Sequence, residues 1–191
     1  MYDTEPAPGA SYAPVRSPPT WSLRSSPGDD GEAYRQLARR WPASVTVVTT
    51  RRDGAPDGFT ATAVLMVSIA PPIVLVSATR ESSAWEMLGA AERFAVNLLR
   101  SDQRALAEGF ATPHERRGDL WHGLAPALDH HGIPLLPGSL GAFSATVRER
   151  VDAGDHVLVL GDVTEIHLGE EGPALLYGNR AYGTLRTEDD R

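Results

Sequence analysis

Apolar and polar positions recur along this chain with two periods, and the period separates strand from helix. The densest apolar stretch, residues 58–83, GFTATAVLMVSIAPPIVLVSATRESS, reads as two β-strands. The strands, residues 58–68 and 73–78, are separated by Ala70-Pro71-Pro72. Two prolines cannot continue a hydrogen-bonded ladder, so they fix the connection. Residues 44–51, SVTVVTTR, are β-branched and strand-like, and Asp53-Gly54 supplies the turn that follows. Further strands are expected at 92–99, at 142–151 and 156–167 joined by Asp152-Ala153-Gly154-Asp155, and at 174–177.

Helical spacing is sparser. Tyr34, Leu37, Ala38 and Trp41 fall at i, i+3, i+4 and i+7, a stripe that reads as a core face. Asp29 and Glu32 fit a capping box at its start, and Pro42 stops it. Ser83 and Glu86 repeat the capping spacing ahead of a short helix at 84–90. Ser101 is expected to cap a third helix, with Leu106 and Phe110 facing inward. Residues 111–140, with four prolines, predict little regular structure. Residues 1–28 are rich in Pro, Ser and Gly and read as a flexible arm, with Trp21 and Leu23 as apolar anchors. The folded domain is placed at 29–185, and 186–191 reads as a polar tail. Strands outnumber helices and short turns join them. The expectation is a mainly β fold with some α, an antiparallel barrel and not a parallel α/β sheet.

Composition narrows the function. The formal net charge is −7, which argues against non-specific nucleic-acid binding on a basic face. There is no cysteine, so disulfides, thiolate catalysis and Cys-ligated metals are excluded. All basic residues are arginine, which excludes a P-loop lysine and a Schiff-base lysine. No apolar run is long enough to span a membrane, and the N-terminus lacks a basic-then-apolar signal pattern, so a cytoplasmic location is expected. GxGxxG, GxSxG and HExxH are absent. His130-His131 is adjacent, but neighbours on a strand or loop point apart, and no metal site is assigned.

Candidate chemistry gathers at strand ends. Thr60 and Thr62 share one side of a strand and Ala61 and Ala63 the other, leaving an edge with little side-chain bulk. Such an edge suits a flat ring that needs backbone donors. Ser77-Ala78-Thr79-Arg80-Glu81-Ser82-Ser83 places hydroxyls and amides ahead of a helix N-terminus, where an anion is favoured. An ordinary helix cap accounts for one of these serines and not for the cluster. Together the two edges read as a flavin cradle with a phosphate beside it.

With those residues in view, residues 32–185 resemble the flavin reductase family of the FMN-binding split barrel. Val45-Thr46-Val47-Val48-Thr49-Thr50, Gly58-Phe59-Thr60-Ala61-Thr62-Ala63, Val67-Ser68 and the Pro71–Ser77 strand come in the family's order. So do Phe94-Ala95-Val96-Asn97-Leu98-Leu99, Gln103, Leu106, Phe110-Ala111, the Gly154-Asp155-His156 turn, and Tyr182 with Leu185. Two departures stand out. Thr62 sits where the family often has Asn, and Asp119-Leu120-Trp121 replaces an Asp-Arg-Phe, leaving Arg116 or Arg117 to supply that charge.

The resemblance implies a homodimeric, Greek-key split barrel with a few peripheral helices. It implies reduction of FAD or FMN by NADH or NADPH, with FAD and NADH preferred, and release of reduced flavin to a partner flavin-dependent monooxygenase. By position, Thr60, Ala61, Thr62, Ala63, Ser77, Ala78 and Thr79 would contact the ring and ribityl chain. Arg80, Ser82 and Ser83 would lie near the phosphate. His156 would seat the nicotinamide nucleotide, Asp155 would orient it, and Tyr182 would flank the site. The competing readings are a pyridoxamine-phosphate-oxidase-like flavoprotein and a non-catalytic flavin-binding module.

Overall fold

A computed structural model describes residues 31–185. The expected arm, the Asp29 cap and the polar tail lie outside the described residues. The chain falls into two units, residues 1–37 and 38–191. The described part of the first is the start of helix α1 (Glu32–Arg39), where Glu32 accepts hydrogen bonds from Arg35 and Gln36. The stripe on this helix is not a core face. None of its residues is buried, and Tyr34 and Leu37 are exposed, as is Trp41 just beyond it. A helical period reports which residues share a face. It does not report that a neighbour covers that face.

The second unit is built on strands. They are β1 (Ala43–Ser44), β2 (Thr46–Arg52), β3 (Ala55–Ala61), β4 (Val64–Ile69) and β5 (Pro72–Thr79). Helix α2 (Ser83–Ala90), strand β6 (Arg93–Leu98) and helix α3 (Arg104–Phe110) follow. Next come a 3-10 turn (His114–Arg116), helix α4 (Gly118–His122) and the short strands β7 (Ala127–Leu128) and β8 (Pro134–Leu135). Two long strands, β9 (Gly141–Ala153) and β10 (His156–Leu168), precede β11 (Leu176–Gly178) and β12 (Ala181–Gly183). A seven-stranded antiparallel sheet runs β3-β2-β6-β9-β10-β5-β4, and β1-β11-β12 and β7-β8 form two smaller sheets.

One expected strand proves to be two. Residues 58–68 break after Ala61. β3 pairs with β2 and β4 with β5, so the two occupy opposite edges of the seven-stranded sheet, yet only Thr62 and Ala63 join them. No Gly or Pro punctuates the break, which is why the apolar run hides it. The two hairpin turns are legible. Asp53 (φ 51) and Gly54 (φ 80) both take the positive φ of a type I′ turn. At the β9–β10 turn, Gly154 (φ 63) takes the first central position.

Strand β2 is buried on both faces. Val48 joins Phe59, Val74, Val76, Met87, Leu88, Phe94, Val96 and Val159 in one cluster. Val45 and Val47 join Leu99, Ala107, Phe110 and Leu175 in another. The buried threonines of β2 satisfy their hydroxyls on backbone. Thr46 donates to Ala61 O at 2.8 Å, Thr49 to Pro134 O at 2.6 Å and Thr50 to Arg93 O at 2.7 Å. Asn97, fully buried, donates to Val47 O and Thr49 Oγ1 and accepts from the Leu136 amide. Gly161 admits the ring of Phe94, because a Cβ there would stand 2.8 Å from Phe94 Cζ.

Two caps differ from expectation. Ser82, not Ser83, is the N-cap of α2, its hydroxyl accepting from the Trp85 amide at 3.2 Å. Helix α3 begins after Gln103 and has no side-chain cap, so Ser101 does not fill that role. Gln103 instead accepts from the Arg100 amide and donates to Pro137 O, and so ties the helix start to the loop before β9.

Candidate functional site

Backbone pairing brings together residues far apart in sequence. The Ser77 amide donates to Ala63 O at 2.9 Å, which sets the β3–β4 junction beside the end of β5. On the other side of β5, Ala78 pairs with Val157 and Thr79 with His156. The order across this end of the sheet is therefore Thr62–Ala63, then Ser77–Thr79, then His156. These are three of the stretches singled out from the sequence.

His156 is held at both ring nitrogens. Its Nδ1 lies 2.7 Å from Asp155 Oδ1 and its Nε2 lies 3.3 Å from Thr79 Oγ1. A carboxylate only accepts, so the ring donates from Nδ1 to Asp155. The hydrogen bond from His156 holds the Asp155 carboxyl below its ordinary pKa. This arrangement fixes the plane of an otherwise half-exposed ring.

Individual residues sort by what remains free. Thr62, Ala63 and Thr79 are exposed and Ser77 is half-buried. Ala61 and Ala78 point into the protein, 7% and 4% exposed, so they contribute backbone and not a side-chain surface. The Thr60 hydroxyl donates to Ala107 O at 2.6 Å and anchors β3 to α3. Arg80 turns toward the β9–β10 hairpin, where its guanidinium pairs with Asp152 and its amide donates to Asp155 O. The Ser82 hydroxyl donates to Thr79 O at 2.6 Å as well as capping α2. Ser83 Oγ accepts from Arg117 at 3.3 Å.

Arg117 was one of two candidates for the missing family charge, and it is the buried one. It is 4% exposed, whereas Arg116 is exposed. Its guanidinium donates to Thr112 O and Gly58 O and stands 3.7 Å from the buried Asp57. Asp57 Oδ1 also accepts from the Gly58 amide and lies 3.2 Å from His114 Nδ1. This cluster stitches residues 112–117 to β3 and to the start of α2. Sequence reasoning missed Asp57 and His114 because their partners lie tens of residues away.

A cavity of about 560 Å³ adjoins the junction, and Thr60, Thr62, Arg104, Tyr177, Arg180 and Tyr182 line it. Tyr182 packs edge-on against Tyr177 with centroids 5.0 Å apart, and Arg104 lies 5.2 Å from its ring centre. Burial raises the Tyr182 phenol above its ordinary pKa. Arg104, Tyr177 and Arg180 carried no sequence signal, since nothing but the fold places them together. His130, of the adjacent histidine pair, bonds Glu165 at 2.8 Å.

The fold and sequence have relatives. Over 82% of this chain and 87% of its own length, actinorhodin polyketide dimerase of Streptomyces coelicolor is 35% identical. The reductase component of Thermus thermophilus 4-hydroxyphenylacetate 3-monooxygenase is 36% identical, over 81% of this chain and 96% of its own. Among solved structures, the NADH:FAD oxidoreductase SgcE6 of Streptomyces globisporus C-1027 superposes with a TM-score of 0.78 at 25% identity, covering 87% of this chain and 99% of that one. The model of the flavin reductase like domain matches residues 38–186. By that match, and by its sequence relatives, this chain belongs to the flavin reductase family.

Proposed function

We propose that this protein is an NADH-dependent flavin reductase that passes reduced flavin to a partner monooxygenase. The observation that carries the reading is the alignment of Thr62–Ala63, Ser77–Thr79 and His156 across neighbouring strands. The donor set suits a flavin. A flat ring needs little bulk and several short donors, and the exposed Thr62, Ala63 and Thr79 with the half-buried Ser77 offer both. The flavin supplies the electron-accepting ring, so the protein's task is positioning.

Each residue has a place in that task. The edge at Thr62–Ala63 and Ser77–Thr79 binds the ring and ribityl chain, with Thr60, Ala61 and Ala78 shaping it from behind. Arg80, Ser82 and Ser83 stand at the start of α2, where first-turn amides lack helical acceptors and favour a phosphate. His156, its ring fixed by Asp155 and Thr79, orients the nicotinamide nucleotide, and Tyr182 flanks the site.

The reading extends to assembly. β4 is an edge strand whose Leu65, Met66, Val67 and Ile69 are all exposed. An apolar edge of this kind calls for a cover, and a second copy of the chain is the proposed one. The split-barrel closure belongs to the same reading, with the two edge strands meeting at the Thr62–Ala63 link. No helix among the described residues is long and apolar enough to cross a membrane, and a cytoplasmic site of action is proposed.

The test is NADH and NADPH oxidation followed at 340 nm, with and without added FAD or FMN. Turnover that depends on free flavin is the expected result. No turnover with any of the four pairs would overturn the reading.

A further inference from the structure

We propose that a second cavity, between the end of α2 and the paired strands β6 and β9, binds a doubly charged oxyanion of the phosphate class. The cavity measures about 390 Å³, and its polar lining residues are Glu92, Arg93, Thr146 and Arg150. None of its lining residues belongs to the proposed flavin edge. Helix α2 has eight residues, about 12 Å of helix, and that length separates the cavity from Ser82 and Ser83.

Positive charge goes unmatched here. Arg93 and Thr146 stand directly opposite each other in the β6–β9 register, so their side chains leave the sheet on one face. Arg93 Nε is buried and has no hydrogen-bond partner. Among the described residues the Arg93 guanidinium makes no ion pair, and the Thr146 hydroxyl makes no hydrogen bond. Leaving a buried N–H of a charged group without an acceptor is costly. Acidic residues outnumber basic ones in this chain by 25 to 18, yet none is paired with Arg93.

Arg150 is the second cation. One of its terminal nitrogens donates to Leu88 O at 3.0 Å and to Ala91 O at 2.5 Å, carbonyls at the end of α2. A bare helix C-terminus repels an anion, but this one is covered by a guanidinium. Among the described residues Arg150 meets no carboxylate either. Glu92 is the one acidic residue of the lining; it is exposed to water and bonded to neither arginine. Guanidinium forks match the oxygens of a phosphate group, and two positive charges suit a dianion. Small and apolar residues complete the lining, and the volume leaves room for a short substituent on the phosphate.

Two sources carry such a group, the free ion and a small phosphate ester, and two probes separate them: inorganic phosphate and glycerol phosphate. Thermal melting of the full chain follows each probe against chloride at constant ionic strength. FMN is present throughout, to fill the phosphate place proposed at the start of α2. Phosphate also stabilises proteins by exclusion from their surfaces, so variants are compared with the wild type. Arg93→Gln removes the guanidinium. Thr146→Val removes the hydroxyl at nearly constant volume and serves if the first variant does not fold. The expected result is a saturable rise in Tm of the wild type, with the midpoint concentration about tenfold higher in Arg93→Gln and about threefold higher in Thr146→Val. A lower midpoint for glycerol phosphate identifies an ester, and a lower one for inorganic phosphate identifies the free ion.

The proposal is overturned if the rise does not saturate, or if both variants keep the wild-type midpoint. A wild-type chain that takes no FMN would sink the flavin reading and leave the comparison of midpoints standing.

Discussion

His156 and Arg117 show how differently two basic residues can be used in one fold. His156 is held by a carboxylate on one nitrogen and a hydroxyl on the other, yet its ring stays accessible. Replacing it with alanine is expected to raise KM for NADH by about tenfold, the loss of one good hydrogen-bonded contact, while KM for flavin stays within twofold. Equal changes in both constants would remove it from the nicotinamide side. Arg117 has the opposite character. It is buried, and its hydrogen bonds go to two backbone carbonyls and Ser83. Arg117→Ala leaves Asp57 without that cation and is expected to cost about 3–5 kcal/mol in urea unfolding, since breaking a buried pair strands a charge. Wild-type stability in that variant would show that His114 alone suffices for Asp57.

At the scale of elements, the long β9–β10 hairpin organises the sheet, and its irregularities fall beside Gly161 and near Val163. Gly161 admits Phe94 and Ala145 at distances no Cβ tolerates. Gly161→Ala is therefore expected to destabilise by about 1–3 kcal/mol through overpacking, measured by chemical denaturation. How much of this was legible in the sequence depended on the range of the interaction. The Asp53-Gly54 turn, the β9–β10 pair and the short helix after Ser83 are local and could be read directly. The break at Thr62 could not, because strand partners decide it and no residue type marks it. Thr60, Thr62, Ser77, Thr79 and His156 were singled out from residue chemistry and from the family's motifs, and the fold sets Thr62, Ser77, Thr79 and His156 side by side. Arg104, Tyr177 and Arg180 were not singled out, since only contacts across the fold bring them together, whereas Arg117 was named as one of two candidates and only its burial tells it from Arg116. Ser101 and Ser83 were misjudged as caps because Gln103 and Ser82 compete one or two residues away, a difference that spacing alone does not resolve.

For the whole molecule, the exposed face of β4 is the feature that a monomer leaves unexplained. If a second copy covers it, Met66→Glu together with Ile69→Glu is expected to convert a dimer to a monomer in analytical ultracentrifugation. Flavin affinity should fall with it, because the same strand begins one residue after Ala63. A double variant that sediments as the wild type does would assign that face to something else.

The two-residue hop between Thr62 and Ala63 has a consequence for how such a chain can vary. Lengthening it by a single amino acid can be absorbed in only two ways. Either β4 slides by one place along β5, which exchanges its inward and outward side chains, or the extra residue bulges into the space proposed for the ligand. Length tolerance at this spot is therefore low for reasons of architecture and of chemistry at once. A library of insertions scanned along the chain should find residues 62–63 among its least forgiving positions, less forgiving than the Asp53-Gly54 tip a few residues upstream.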